Sequence, residues 1–213
     1  MVSVGAIVAL TSIEIINLIH HAQVPLKPKT SKITSPWIPL TVKRWQDPLN
    51  EMAKKYSVDP DLLAIIMTLE SGGYSKANSG LAQGLMQITP PTAQDIAAKF
   101  LKKPTNSYNL WDPRTNIEFG AAYLAYLRDQ FGTAQQGPSW DTSVELIAAG
   151  YNGGPGAANR LEQGDGLRDA QTLIYSRDAF NMWRERHAAT SPTFERWKER
   201  GGGRLIDLAK AEK

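Results

Sequence analysis

Glu70 ends an otherwise apolar helix-forming run, Leu62 to Met67 and then Leu69, and Gly72-Gly73 follows at once. Counting back at helical spacing, Leu62, Leu63, Ile66 and Met67 share its face, so the carboxylate projects from the apolar side. Hydrocarbon surroundings and the negative end of the helix dipole both favour the protonated form. A carboxyl group kept protonated near neutral pH is a general acid. The bland alternative is a Glu at a helix end that curls out to water, and helix position alone does not choose between them.

Two later stretches offer polar company. Gly84-Leu85-Met86-Gln87-Ile88 is a compact turn carrying one amide, Gln87. Ala148-Ala149-Gly150-Tyr151-Asn152 runs an apolar helix into Gly153-Gly154-Pro155-Gly156, putting two polar tips at the end of a buried element. An Asn at an ordinary left-handed helix stop would look the same.

Composition narrows the chemistry. The chain has 213 residues and no cysteine, which removes disulfides and thiolate metal sites. His20 and His21 lie in the N-terminal segment, leaving one further histidine, so no histidine-based metal site and no cofactor is expected. The net charge of +3 suits an anionic polymer. Lys and Arg are scattered and never interleaved with aromatics, so nucleic acid is not the expected partner.

The elements that must position these groups read as all-α. Residues 1–23 form an apolar segment, interrupted by Glu14 and Asn17, that reads as a signal, an anchor or a docking helix. Membrane association would run through residues 2–19. The positive charges Lys27, Lys29 and Lys32 follow this segment and none precedes it. Residues 24–44, rich in Pro, Lys, Ser and Thr, read as a linker, so the folded domain is expected over 45–190, followed by a charged tail over 191–213. Helix starts are predicted at Asp47-Pro48, Asp59-Pro60, Thr89-Pro90 and Asp112-Pro113. The helix from Asp112 ends at Gly132, 133–138 reads as a loop, and further helices cover 141–151 and 169–187. Phe119, Tyr123 and Tyr126 are assigned to the core rather than to ligand stacking. The tail reads as a short helix, a break at Gly201-Gly202-Gly203 and a final helix whose packing the pattern leaves open.

Three ordered blocks then resemble the soluble lytic transglycosylase family, whose lysozyme-like domains cut the glycan strands of bacterial peptidoglycan. They are Glu70-Ser71 with Gly84-Leu85-Met86-Gln87-Ile88-Thr89-Pro90, then Asn109-Leu110-Trp111-Asp112-Pro113 with Asn116-Ile117 and Gly120-Ala121-Ala122-Tyr123-Leu124, and Ala149-Gly150-Tyr151-Asn152-Gly153-Gly154-Pro155-Gly156. In the last, Gly150 replaces the family's Ala. A fourth block is partial: Tyr175 aligns, but Gln171 stands where the family has Glu and Ser176 where it has Val.

The resemblance implies an all-α, lysozyme-like domain with a catalytic cleft, preceded by the apolar segment and linker. It implies Glu70 as sole catalytic carboxylate, first protonating the bond between N-acetylmuramic acid and N-acetylglucosamine. Glu70 would then take the proton of the muramic C6 hydroxyl as a 1,6-anhydro ring closes, with the substrate's 2-acetamido group stabilising positive charge. Met86 would wall Glu70, Tyr151 would hydrogen-bond or orient it, and Gln87 and Asn152 would bind sugar. Tyr175 would line the site, and Ser71 and Ser79 would contact substrate. Goose-type hydrolases share much of the fold but carry an Asp after the GLMQ block, where this chain has Thr89 and Pro90; Asp95 is the nearest acid. A non-catalytic wall-binding assembly module is the other alternative. The implied partner is peptidoglycan, in the periplasm or envelope or on a phage particle. Secretion, conjugation and phage assemblies all remain as settings.

Overall fold

The computed structural model describes residues 31–104, 107–132 and 138–212. The apolar segment 1–23, the first part of the expected linker and the loop at 133–137 lie outside the described residues. Among those described, the α-helices are α1 (Leu40–Lys43), α2 (Gln46–Tyr56), α3 (Pro60–Ser71), α4 (Pro90–Ile96), α5 (Pro113–Phe131), α6 (Pro138–Gly153), α7 (Pro155–Glu162), α8 (Ala170–Arg184), α9 (Pro192–Trp197) and α10 (Gly203–Ala211). Wider helical turns at Ala97–Leu101 and Lys198–Gly202 extend α4 and join α9 to α10. The extended pairing among the described residues is limited to isolated bridges, Asn78 with Gln83 and Gln83 with Ile88.

The caps explain most of the boundaries. Asp59, Thr89, Asp112 and Asp169 each accept a hydrogen bond from a backbone N–H of the first turn. Three of them are followed by Pro at the first helical position, which has no N–H to lose, and each cap contributes about 1 kcal/mol. Asp47 does not behave this way. The turn leaving α1 already feeds the chain helically into Trp45, so α2 begins at Gln46 and Asp47 falls inside its first turn.

Helix α3 is the axis of the domain. Every residue from Pro60 to Leu69 is buried, as is Ser71, and Glu70 alone is partly exposed. The expectation of one apolar face is thus too modest, because this helix has no solvated face at all. It packs against α2, α5, α8 and α1. Each fully buried Leu, Ile or Met on it contributes about 1.5–3 kcal/mol.

Residues 33–44, expected to be linker, instead form a strap along α3. At the helix start, Asp61 accepts from the backbone N–H groups of Thr34 and Ser35, both at 2.9 Å, and from Thr34 Oγ1 at 2.6 Å. At the helix end, Thr41 Oγ1 donates to Gly72 O at 2.6 Å, while Arg44 and Trp45 Nε1 donate to Gly73 O at 2.8 and 3.0 Å. Backbone carbonyls left over at the helix end thereby find partners. Trp37 and Ile38 are buried in the core, so the packed domain reaches back past Trp45 to the strap.

The charged tail closes the same end. Phe194, Trp197 and Ile206 are buried, and Ile206 lies against Gly72. Glu212 pairs with Arg44 and accepts from Ser75 N at 3.2 Å. Gly73 is needed here: its φ is +86°, and an added Cβ would lie 2.1 Å from Thr41 O.

Candidate active site

Glu70 stands one residue before the end of α3, where the left-handed Gly72 (φ 58°) turns the chain out of the helix. Burial is the main influence on its carboxyl group and raises the pKa from 4.5 to about 7; a hydrogen bond from Tyr175 partly offsets that rise. Tyr175 Oη donates to Glu70 Oε1 at 2.6 Å, from the middle of α8. The tip of Glu70 opens into a cleft of about 450 Å³ whose opposite walls come from the 79–89 loop, α5, the end of α6 and α8.

The loop carrying Gly84 to Ile88 is fastened from three directions. Ser71 Oγ donates to Leu85 O at 2.7 Å, from α3 itself. Asn116, wholly buried on α5, accepts from Met86 N at 2.7 Å and donates to Gln83 O and Leu110 O, both at 2.8 Å. Tyr151 Oη donates to Met86 O at 2.9 Å. Gly84 takes φ 77°, and a Cβ there would strike the Asn116 amide at 2.5 Å. Gln87 also lies in the left-handed region (φ 45°), and its Nε2 donates to Ala77 O and Gly84 O, both at 2.9 Å.

Of the residues singled out from the sequence, Glu70, Ser79, Gln87, Tyr151, Asn152 and Tyr175 line this one cleft. Ser71 and Met86 do not. Ser71 is wholly buried and spends its hydroxyl on the loop, so it joins helix to loop and does not face substrate. Met86 is wholly buried with its side chain against Gly120, where an added Cβ would meet it at 2.7–2.8 Å. Its backbone, not its thioether, serves the site.

The partner expected for Glu70 also changes. Tyr151 spends its hydroxyl on Met86 O, and Tyr175 makes the bond to the carboxylate. Burial and the nearby Glu70 push both phenols well above their ordinary pKa, so both stay protonated as donors. Asn152 meets Thr172 Oγ1 at 2.9 Å through its side-chain amide.

Tyr123, assigned to the core, is a wall of the cleft. It donates to Gly150 O at 3.1 Å, and its ring lies 5.3 Å from that of Tyr151. Its position on the helical stripe hid this, since the stripe continues into the rim of the cleft. Phe119 is wholly buried as expected, and Tyr126 packs on Phe100. Gln171, noted only as a departure from a family pattern, also lines the cleft. Gly150 has its own reason, because a Cβ there would lie 2.8 Å from Leu127 Cδ2.

Glu70 is the one carboxylate among the described residues lining the cleft. Among the described residues there is also no cluster of three or more metal-ligating side chains. A helical, lysozyme-like domain with one desolvated carboxylate at the end of its central helix is the class that fold and site define together. Residues 47–174 match the Transglycosylase SLT domain, and the chain belongs to that family.

The relatives agree. Membrane-bound lytic murein transglycosylase C of Actinobacillus pleuropneumoniae is 35% identical over 137 residues, covering 61% of this chain and 36% of that protein. Membrane-bound lytic murein transglycosylase E of Buchnera aphidicola is 40% identical over 95 residues, 43% of this chain and 42% of that one. A transglycosylase of Enterobacteria phage PRD1 is 34% identical over 117 residues, 54% of this chain and 37% of the phage protein. The chain therefore spans only about two-fifths of these relatives' length. Among solved structures, an inactive mutant of the lytic transglycosylase Slt from Pseudomonas aeruginosa superposes with a TM-score of 0.53 at 25% identity, over 69% of this chain and 25% of that one.

Proposed function

We propose that this domain cleaves the β-1,4 bond between N-acetylmuramic acid and N-acetylglucosamine in peptidoglycan without water, leaving 1,6-anhydro-muramic ends. The observation that carries this reading is Glu70 itself, the single carboxylate among the described residues lining the cleft, with a pKa of about 7. Most glycosidases set a second carboxylate across the scissile bond to activate water or to attack the sugar. Asp95, the acid nearest in sequence after the loop, pairs with Lys99 on an exposed surface instead.

Protonated Glu70 gives its proton to the glycosidic oxygen, and the carboxylate so formed is held by the Tyr175 hydroxyl. That carboxylate then takes the proton of the muramic C6 hydroxyl as its oxygen closes onto C1, which returns Glu70 to its starting state. Burial opposes the charged form and Tyr175 supports it, so neither state is so stable that the cycle stalls there. The substrate's own 2-acetamido group stabilises the developing positive charge. Gln87 presents its amide oxygen, and the Asn152 amide lies on the same cleft, groups suited to the acetamido and hydroxyl groups of the sugars.

The setting is the bacterial wall, reached from the periplasm or envelope or delivered by a phage particle. Relatives named as membrane-bound murein enzymes and as a phage transglycosylase support that range. No helix among the described residues is long and apolar enough to cross a membrane.

Digestion of purified walls, with the products weighed by mass spectrometry, tests the chemistry. Anhydro-muramic ends are expected from the wild type, and no clearing from Glu70→Gln. Products heavier by one water, with reducing muramic ends, would replace this reading with a hydrolytic one. Full activity in Glu70→Gln would remove Glu70 from the mechanism.

A further inference from the structure

Thr172, buried in the first turn of α8, stands between two polar side chains. On one side its Oγ1 lies 2.7 Å from Asp169 Oδ2, which also accepts from Thr172 N at 2.7 Å. On the other it lies 2.9 Å from Asn152 Oδ1, near the end of α6 on the wall of the cleft. A threonine hydroxyl carries one proton, and the two oxygens facing it both ask for it. The carboxylate has the stronger claim, because a hydrogen bond to a charged acceptor is about twice as strong as one to a neutral carbonyl. The Thr172 hydroxyl and N–H hold the Asp169 carboxyl below the usual carboxylate range. Sending the proton to Asn152 would leave two bare oxygens, one of them charged, facing each other at 2.7 Å. Packing gives Thr172 little room to relax, since a Cβ at Gly153 would lie 2.8 Å from its Cγ2.

We propose that Asp169 and Thr172 are positioning residues that fix the side-chain amide of Asn152, with its NH2 on Thr172 Oγ1 and its carbonyl oxygen toward the cleft. The two ends of an amide are nearly the same size, so a half-turn about the last side-chain bond exchanges them without moving any other atom. That half-turn gives every group a partner of the right kind. Asn152 donates to Thr172, and Thr172 donates to a carboxylate that can only accept. Asp169 thereby sets the polarity of a group two hydrogen bonds away. For its consequence the inference rests on the wall-glycan reading above. Gln87 directs its Nε2 to Ala77 O and Gly84 O, so it too meets the cleft with an oxygen. A wall offering two carbonyl oxygens selects sugar groups that donate, the acetamido N–H and the hydroxyls, over groups that only accept.

Neutron diffraction from crystals of the wild-type chain exchanged into D2O reads the proton positions without any substrate. The expected result is one deuterium on Thr172 Oγ1 directed at Asp169, and a pair on the Asn152 atom nearest Thr172. A deuterium between Thr172 and an Asn152 oxygen would overturn the proposal. Kinetics on purified walls test the consequence. In Thr172→Val the sugar can take the Asn152 oxygen only by leaving the NH2 without an acceptor. KM should therefore rise about fivefold, the scale of one neutral hydrogen bond, with kcat changed by less than about twofold. Thr172→Ser keeps the hydroxyl and should return KM to within about twofold of wild type. Tyr175 sits one turn further along α8 and bonds Glu70, so a helix merely displaced by the substitution would also move the alkaline limb of the pH–rate profile. That limb is expected to stay in place. An unchanged KM in Thr172→Val, an equal rise in Thr172→Ser or a moved limb would overturn the positioning role. A wild type that cleaves no wall refutes the enzymatic reading, and the deuterium positions then decide the amide orientation alone.

Discussion

The desolvation of Glu70 makes a prediction about stability that needs no substrate. Its carboxyl pKa is raised from 4.5 to about 7 by burial. The folded state therefore prefers the proton more than the unfolded chain does, by about 3 kcal/mol. Below pH 4.5 the group is protonated in both states and the preference has no effect. Between pH 4.5 and 7 the unfolded chain loses its proton first, and stability falls. Above pH 7 the full penalty of holding a buried carboxylate is present. Glu70→Gln keeps the shape, and its amide oxygen still accepts from Tyr175, yet it has no charge to bury. The variant is expected to match wild type near pH 4 and to exceed it by up to about 3 kcal/mol at pH 8. Denaturant unfolding of both proteins at a series of pH values reads this directly. A gap that stays constant with pH, or that favours wild type at pH 8, would show that Glu70 is not held in an apolar setting. Glu70 would then lose its acid-then-base role as well.

Tyr175→Phe removes the hydrogen bond that lowers the Glu70 pKa, so the alkaline limb of the pH–rate profile should move upward while the rate falls about tenfold; an unmoved limb would assign Tyr175 to shape alone. Asn116→Ala strips three hydrogen bonds from the 83–86 turn and its neighbour Leu110, and should cost about 3 kcal/mol in denaturant unfolding. Ser71→Ala should cost about 1 kcal/mol of stability and leave KM for wall fragments unchanged, since its hydroxyl faces Leu85 O; a raised KM would restore Ser71 to the substrate side.

Much of the positioning was legible because it is local. Asp59, Thr89 and Asp112 announce their helices through cap chemistry and the prolines that follow them, and Gly72 announces the stop. Those signals put Glu70 at the end of an apolar helix before any tertiary contact is known. Two different turn-bounded stretches likewise marked Gln87, Tyr151 and Asn152, which the fold gathers around one cleft.

Partnership was not local, and there the sequence fell short. Tyr151 and Tyr175 look alike as phenols on helices, and only the crossing of α8 over α3 decides that Tyr175 reaches the carboxylate while Tyr151 fastens the loop. Ser71 and Glu70 are neighbours in the chain, but the helical turn sends one into the core and the other into the cleft. The strap at 33–44 reads as linker because its prolines and polar side chains find partners only once α3 exists, in Asp61, Gly72 and Gly73. Sequence by itself determined where the candidate acid would stand, at the end of an apolar helix, since helical periodicity and a glycine stop put Glu70 there. Tertiary structure decided how that acid is tuned and what surrounds it, because desolvation and hydrogen bonding depend on segments more than a hundred residues apart meeting in space.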